Sequence, residues 1–325
     1  MRMLLQMKTL SKSTKIWLNY TLGAAVSALL LWGIYIQIQK QIGRLDEVNP
    51  SSLWQTGPDY LLWLCILLMP VNIGLEARKW HLLASTARPL SFKDALASCL
   101  AGITFSLITP NRLGEYPGRL LYMRRKNTFR LISVSVLGAV AQMLALFIFG
   151  LASLIYYNAA FPGIISIIAL LSCAVFTTGI AILYARFEQW APLIERVKWL
   201  RKFRVYGQLL RRFTNKEQLT ILGLSLLRFA TYTAQYLVLL RWMNVMLPPV
   251  EGFLMSALFF WVMAVIPTLA LVELGERGQV SLYLFHHFSD NTIGILGATI
   301  GIWCINLILP AIAGSILLLR MRYIR

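Results

Sequence analysis

Of 325 residues, 58% are hydrophobic and only 14% charged, and mean hydropathy is +0.66. Soluble domains carry about 25% charged residues, so the balance excludes the two or three soluble domains that the length alone would suggest. The formal charge is +18. With no zinc-finger spacing, RNP motif or soluble basic domain, that excess fits a polytopic membrane protein with basic cytoplasmic loops, not a nucleic-acid binder.

In chain order, a basic start (Arg2, Lys8, Lys12, Lys15) leads into an apolar run, Ile16–Ile38. It is too long for a signal-peptide core and no small-residue cleavage site follows, so it is expected to be a retained first span. Span 2 is assigned to 58–75. The apolar stretch 95–123 is interrupted by Pro110-Asn111-Arg112-Leu113-Gly114-Glu115-Tyr116-Pro117-Gly118-Arg119. Each arm reaches about 22 Å as helix, short of a hydrocarbon core of about 30 Å. A re-entrant hairpin is therefore expected, its tip tolerated where protein or a wet cavity satisfies the backbone.

Spans 3 (131–157) and 4 (163–184) follow. Segment 192–213 has helical apolar spacing that includes Trp199 and Phe203, with basic residues opposite, which predicts an interfacial helix on the anionic cytoplasmic leaflet. Span 5 is 219–240. A second interrupted stretch, 252–285, predicts hairpin 2, and span 6 is 292–319. Asp94 and Asp290 are expected as caps at helix starts.

Basic residues in the connections assign the sides. The amino-terminal tail, segments 76–93, 123–130 and 186–216, and the tail after Leu319 hold nearly all of them, which puts both termini in the cytoplasm. The order is then span–span–hairpin–span written twice. Each unit crosses three times, so the second must be inverted. The expected fold is an all-α polytopic membrane protein of about six full spans plus two re-entrant hairpins in inverted-topology repeats. The first repeat is 1–160 and the second 161–325.

Ionised groups in a bilayer are rarely idle, since each costs at least about 2.5–3.5 kcal/mol on insertion scales. Arg112, Glu115 and Arg119 fall at the first tip, and Glu273, Glu276 and Arg277 at the second. Arg228 lies within span 5, with Tyr232 and Gln235 on the same face at i, i+4 and i+7. Arg112, Arg119, Arg277 and Arg228 are the candidate lipid-phosphate ligands. Glu115, Glu276 and Glu273 would orient them or carry protons, or the opposite charges would simply tie the tips together. Pro110, Gly114, Pro267 and Gly275 are the candidate backbone hinges. Three histidines without metal spacing, four cysteines inside apolar segments and the lack of a P-loop, dinucleotide fingerprint or nucleophile elbow lead to no expected metal, cofactor or catalytic residue.

The run Ser106…Thr109-Pro110-Asn111-Arg112-Leu113-Gly114-Glu115…Arg119 resembles the P-x-R-x-G-E-x-x-R signature of the lysylphosphatidylglycerol synthetase transmembrane region, the flippase-like domain of the multiple peptide resistance factor. On that resemblance Arg112, Glu115 and Arg119 carry over. The second tip departs from the family's P…G-G-x-G-x-x-E element, with Leu271-Val272 in place of the double glycine. The chain ends at Arg325 just after span 6, so the soluble synthetase activity is not expected. The expectation is a non-enzymatic flippase for an anionic phospholipid or related phosphate-bearing lipid in a bacterial cytoplasmic membrane. The alternative is a membrane scaffold that hands lipid to a partner synthetase or envelope-transport machine. Membrane phospholipid is the expected partner, a homo-oligomer is left open, and nucleic acid is not expected.

Overall fold

The structure is a computed structural model that describes residues 17, 21, 28, 32, 56–87, 89–107, 114–122, 128–186, 213–266 and 273–319. Its helices are α1 (Asp59–Ala87), α2 (Phe92–Ser106), α3 (Glu115–Tyr122), α4 (Thr128–Ala160), α5 (Ile164–Ala185), α6 (Asn215–Trp242), α7 (Pro249–Val265), α8 (Glu273–Phe285), α9 (Thr292–Trp303) and α10 (Leu309–Leu319). A π-helical turn, Cys304–Ile308, joins the last two. No strand occurs among the described residues.

Sequence explains where these helices start. Ser91 caps α2 by accepting from the Asp94 N–H, and Thr214 caps α6 in a reciprocal box with Glu217. Asn291 caps α9 by accepting from the Gly294 N–H. The capping roles expected of Asp94 and Asp290 thus belong to neighbours. Asp94 sits in the first turn of α2, where its carboxylate accepts from the Ser91 hydroxyl, and Asp290 gives only its carbonyl to the Thr292 N–H.

Four stretches among the described residues are long and apolar enough to cross a membrane: Asp59–Ala87, Arg130–Ala160, Ile164–Ala185 and Thr292–Leu319. They coincide with predicted spans 2, 3, 4 and 6. Predicted span 5 is α6, 28 residues long, whose apolarity is reduced by Lys216, Glu217, Arg228 and Arg241. Of predicted span 1 the described residues are Trp17, Thr21, Ala28 and Trp32, all helical and exposed. The interfacial helix expected over 192–213 lies outside the described residues except for Phe213, which is buried. Helix α5 turns Ile164, Ile165, Ile168, Leu171, Val175 and Phe176 outward. Such a face would be a liability in water and is suited to lipid.

One predicted boundary is wrong. Span 2 was expected to end at residue 75, with Lys79 in a cytoplasmic connection, but α1 continues to Ala87 and buries Glu76, Lys79, Trp80, Leu83 and Ala84. The apolar spacing through Ala77, Trp80 and Ala84 carries the helix onward, and the charges do not end it because they find partners inside the protein.

The first interrupted stretch forms two arms that fold back on each other. The Ser98 hydroxyl of α2 donates to the Arg119 carbonyl of α3 at 3.1 Å. A Cβ on Gly102 would lie 2.8 Å from the Glu115 carbonyl, and one on Gly118 would lie 2.9 Å from the Ala101 carbonyl. Reciprocal glycines therefore let the backbones touch. In the second stretch, Phe259 and Phe260 of α7 and Phe285 of α8 gather around Tyr236 of α6.

The two halves of the chain are interleaved. Helices α1 and α6 run antiparallel: the Gly57 N–H donates to the Trp242 carbonyl at 2.6 Å, and the Gln235 amide donates to the Cys65 carbonyl at 2.8 Å. Each hairpin's first arm rests on the last span of the other half. Gly314 of α10 lies against Thr104 and Leu100 of α2, and Gly150 of α4 lies under the Trp261 indole of α7. Small residues at crossings and side-chain hydrogen bonds between helices are what hold bundles together in lipid, where burial of apolar area supplies little.

Candidate functional site

Where α1, α3 and α6 meet, the carboxylate of Glu76 collects three cations. Lys79 Nζ approaches Oε2 at 2.9 Å, Arg119 Nη2 approaches Oε1 at 2.7 Å, and Arg228 Nη1 approaches Oε2 at 3.1 Å. Arg119 also pairs with Glu115 one turn back on α3. Its guanidinium lies 5.3 Å from the Trp80 ring centroid, and the Trp80 indole donates to the Ser98 hydroxyl that holds the Arg119 backbone. Arg119 is thus held from three sides.

Neutral polar groups complete the shell. Gln142 of α4 accepts from Lys79 Nζ at 3.0 Å and from Arg228 Nη1 at 3.2 Å, while Asn72 accepts from Arg228 Nε at 3.2 Å. Asn72 donates in turn to Asn306, and Asn306 donates to Gln235 at 2.9 Å. Asn306 stands in the π-helical turn, a feature common where a helix has been adapted to a site.

A cavity of about 230 Å³ opens beside this network, lined by Asn72, Glu76, Glu115, Gln142, Arg228 and Asn306, with Phe229, Tyr232, Phe260 and Leu307 as apolar wall. A smaller chamber of about 80 Å³ shares Glu76, Glu115, Gln142 and Arg228 with it and adds Lys79, Tyr116, Arg119 and Ser135. The side chains of Glu76, Lys79 and Arg119 are at most 8% exposed, against 31% for Arg228 and 28% for Glu115. Arg228 and Glu115 are therefore the charged groups a ligand would meet first. Three cations against two carboxylates leave one positive charge over, which suits an anion of modest size.

Of the residues singled out from sequence, Arg119, Glu115 and Arg228 converge on this cluster, with Tyr232 and Gln235 turned inward on the same face as Arg228. Arg112, Pro110 and Pro267 lie outside the described residues. Gly114 forms the turn just before α3, whereas Gly275 lies inside the first turn of α8. Glu273 begins α8. Arg277 is buried, yet it is not among the residues lining the cavity. It belongs instead to a second polar nest in which the Tyr236 hydroxyl meets Thr299 at 2.7 Å and Ser281 lies close by. Glu276 of the same arm keeps a buried Oε2 without a hydrogen bond among the described residues.

Glu76, Lys79, Gln142, Asn72 and Asn306 were not among the sequence candidates. Glu76 and Lys79, three apart and in phase with Trp80 and Leu83, carried a usable signal: a helical period continuing past the assigned end of span 2.

The fold and cluster define a multi-pass helical membrane protein with a buried charged site. The chain matches the lysylphosphatidylglycerol synthase TM region family over residues 20–314 and belongs to that family. Among curated proteins and solved structures, none matches it.

Proposed function

We propose that this protein moves a phosphate-bearing anionic lipid between the leaflets of a bacterial cytoplasmic membrane, leaving the lipid chemically unchanged. One observation carries this: a buried charge cluster with a surplus of one positive charge, open to a cavity between helices of the two halves of the chain. Buried charge in a membrane protein is expensive and marks a pathway for polar cargo. In this scheme Arg228 receives the headgroup phosphate, Arg119 stands behind it, and Glu76 fixes both guanidinium groups.

Two further features support an alternating-access device. The arms α2 and α3, at 15 and 8 residues, are too short to cross singly and fold back as a pair, as a re-entrant hairpin would. In addition, Asn72 stands 13 positions past Asp59 of α1 and Arg228 stands 13 past Asn215 of α6, and the two side chains bond to each other. Equivalent positions meeting on antiparallel helices are what a two-fold axis in the membrane plane produces, and both termini then face the cytoplasm.

The test is purified protein in vesicles carrying fluorescent phosphatidylglycerol. Wild type should speed leaflet exchange above protein-free vesicles, and Arg228→Ala should slow it at least about tenfold, equivalent to about 1.4 kcal/mol. Arg78→Ala, an exposed position on the same helix as Glu76, should not. Exchange at the protein-free rate, with lipid still retained by the protein, would replace transport by a scaffold role. Exchange indifferent to Arg228→Ala would remove the assigned site.

A further inference from the structure

The transport scheme balances the surplus charge only while an anion is bound. Lys79, Arg119 and Arg228 face Glu76 and Glu115, so the empty cluster, with all five groups ionised, would carry a surplus positive charge in a low-dielectric setting, where surplus charge is costly. Guanidinium groups keep their protons in proteins, whereas an ammonium can give one up. Protonating either carboxylate would only enlarge the surplus. Of the three cations, Lys79 alone can remove it.

The surroundings of Lys79 fit that role. Its side chain is 4% exposed, with Nζ held by Glu76 on its own helix and by neutral Gln142 on α4. The other titratable or charged groups of this neighbourhood, among the described residues, are Arg119, Glu115 and Tyr116 on α3, Arg228 and Tyr232 on α6 and the buried Cys99 thiol on α2. Lys79 borders the 80 Å³ chamber and not the larger cavity, whereas Glu76, Glu115, Gln142 and Arg228 border both. The proton site thus lies in the small chamber, beside groups that also line the cavity where the anion is held.

Resting on the lipid-transport scheme above, we propose that Lys79 is a proton-binding site coupled to the anion in the cavity, so that one proton joins the cluster with each phosphodiester headgroup. With the cavity empty and Lys79 neutral, two guanidinium groups balance two carboxylates. An arriving phosphodiester adds one negative charge, and a proton on Lys79 restores the balance at three against three. Each ligand raises the affinity for the other by the same factor. Lipid and proton then travel together without net charge, and a proton gradient can drive the lipid.

The experiment is binding of short-chain phosphatidylglycerol, whose phosphodiester keeps one charge across the range used, to the purified full chain in detergent. A pH dye in weak buffer reports protons taken up. Wild type should take up as much as about one proton per lipid, and its Kd should rise about tenfold per pH unit over the part of ~pH 6–9 where uptake is seen. Lys79→Arg, or Lys79→Gln should the arginine variant not fold, should bind with no uptake and a flat Kd. Cys99→Ala and Tyr116→Phe should keep the wild-type uptake. Wild-type binding with a flat Kd and no uptake overturns the coupling while leaving transport intact. So does uptake that survives Lys79→Arg or vanishes in Cys99→Ala or Tyr116→Phe. No binding by wild type at any pH overturns the transport scheme itself, and the coupling with it.

Discussion

Remove the Glu76 carboxylate and Lys79, Arg119 and Arg228 lose the partner they share, leaving Glu115, on Arg119 Nη2, as the one carboxylate of the cluster among the described residues. Breaking a buried ionic group by deleting one partner costs about 3–5 kcal/mol, because the remaining charges stay desolvated. Glu76→Ala should therefore lower the thermal unfolding midpoint in detergent far more than Glu115→Ala. Glu115 is part-exposed, and its loss leaves Arg119 still paired with Glu76. Equal shifts for the two variants would mean that Glu76 is not the centre of the cluster. Arg119, Glu115 and Arg228 were legible in the sequence because a charge between apolar runs stands out. Glu76 and Lys79 were hidden by the opposite logic: they sit beside Arg78, and a cluster of charges at the end of an apolar run looks like a loop. What kept them in the helix was partners on α3, α4 and α6, which a local pattern does not contain.

At the scale of elements, the interruption by proline, glycine and charge foretold two arms in the first stretch. It did not foretell how closely they approach. Gly102 meets backbone atoms of α3, and a carbonyl cannot rotate away as a side-chain end can. Gly102→Ala should thus destabilise by about 1–3 kcal/mol through overpacking. Gly223→Ala on α6, where among the described residues nothing packs within 4 Å of the added Cβ, should be neutral or slightly stabilising through helix propensity. Thermal midpoints of the two variants against wild type check the contrast, and similar values for both would deny the close packing of the arms. The second arms also show why a sequence register can be misplaced. Matching Leu113-Gly114-Glu115 to Leu274-Gly275-Glu276 aligns Glu115 with Glu276. The helices instead begin at Glu115 and Glu273, and each carries a buried arginine four residues on, Arg119 and Arg277. The common pattern is a glutamate and an arginine one helical turn apart.

Across the whole molecule the two halves share a plan and differ in chemistry. The positions of α6 that correspond to Glu76 and Lys79, counted from the helix starts, are Tyr232 and Gln235, so α6 does not repeat that charged pair. On the second side Arg277 lies among Tyr236, Thr299 and Ser281 within an aromatic group instead. An ion-holding site on one side and an aromatic one on the other would give a transporter two unequal faces, so the orientation of each half matters to the direction of transport. That orientation can be read directly. With the four cysteines replaced, single cysteines at the exposed positions Lys93 and Lys216 should react with a membrane-impermeant maleimide only from the cytoplasmic side. Cysteines at Pro162 and Asp290, exposed in the connections after α4 and before α9, should react only from the outer side. Lys93 opens the first hairpin and Asp290 follows the second, so labelling of both from the same side would place the two hairpins in one leaflet. The two-fold relation between Asn72 and Arg228 would then be a coincidence of helix length, and the cluster would face a single compartment with no alternating path for a lipid.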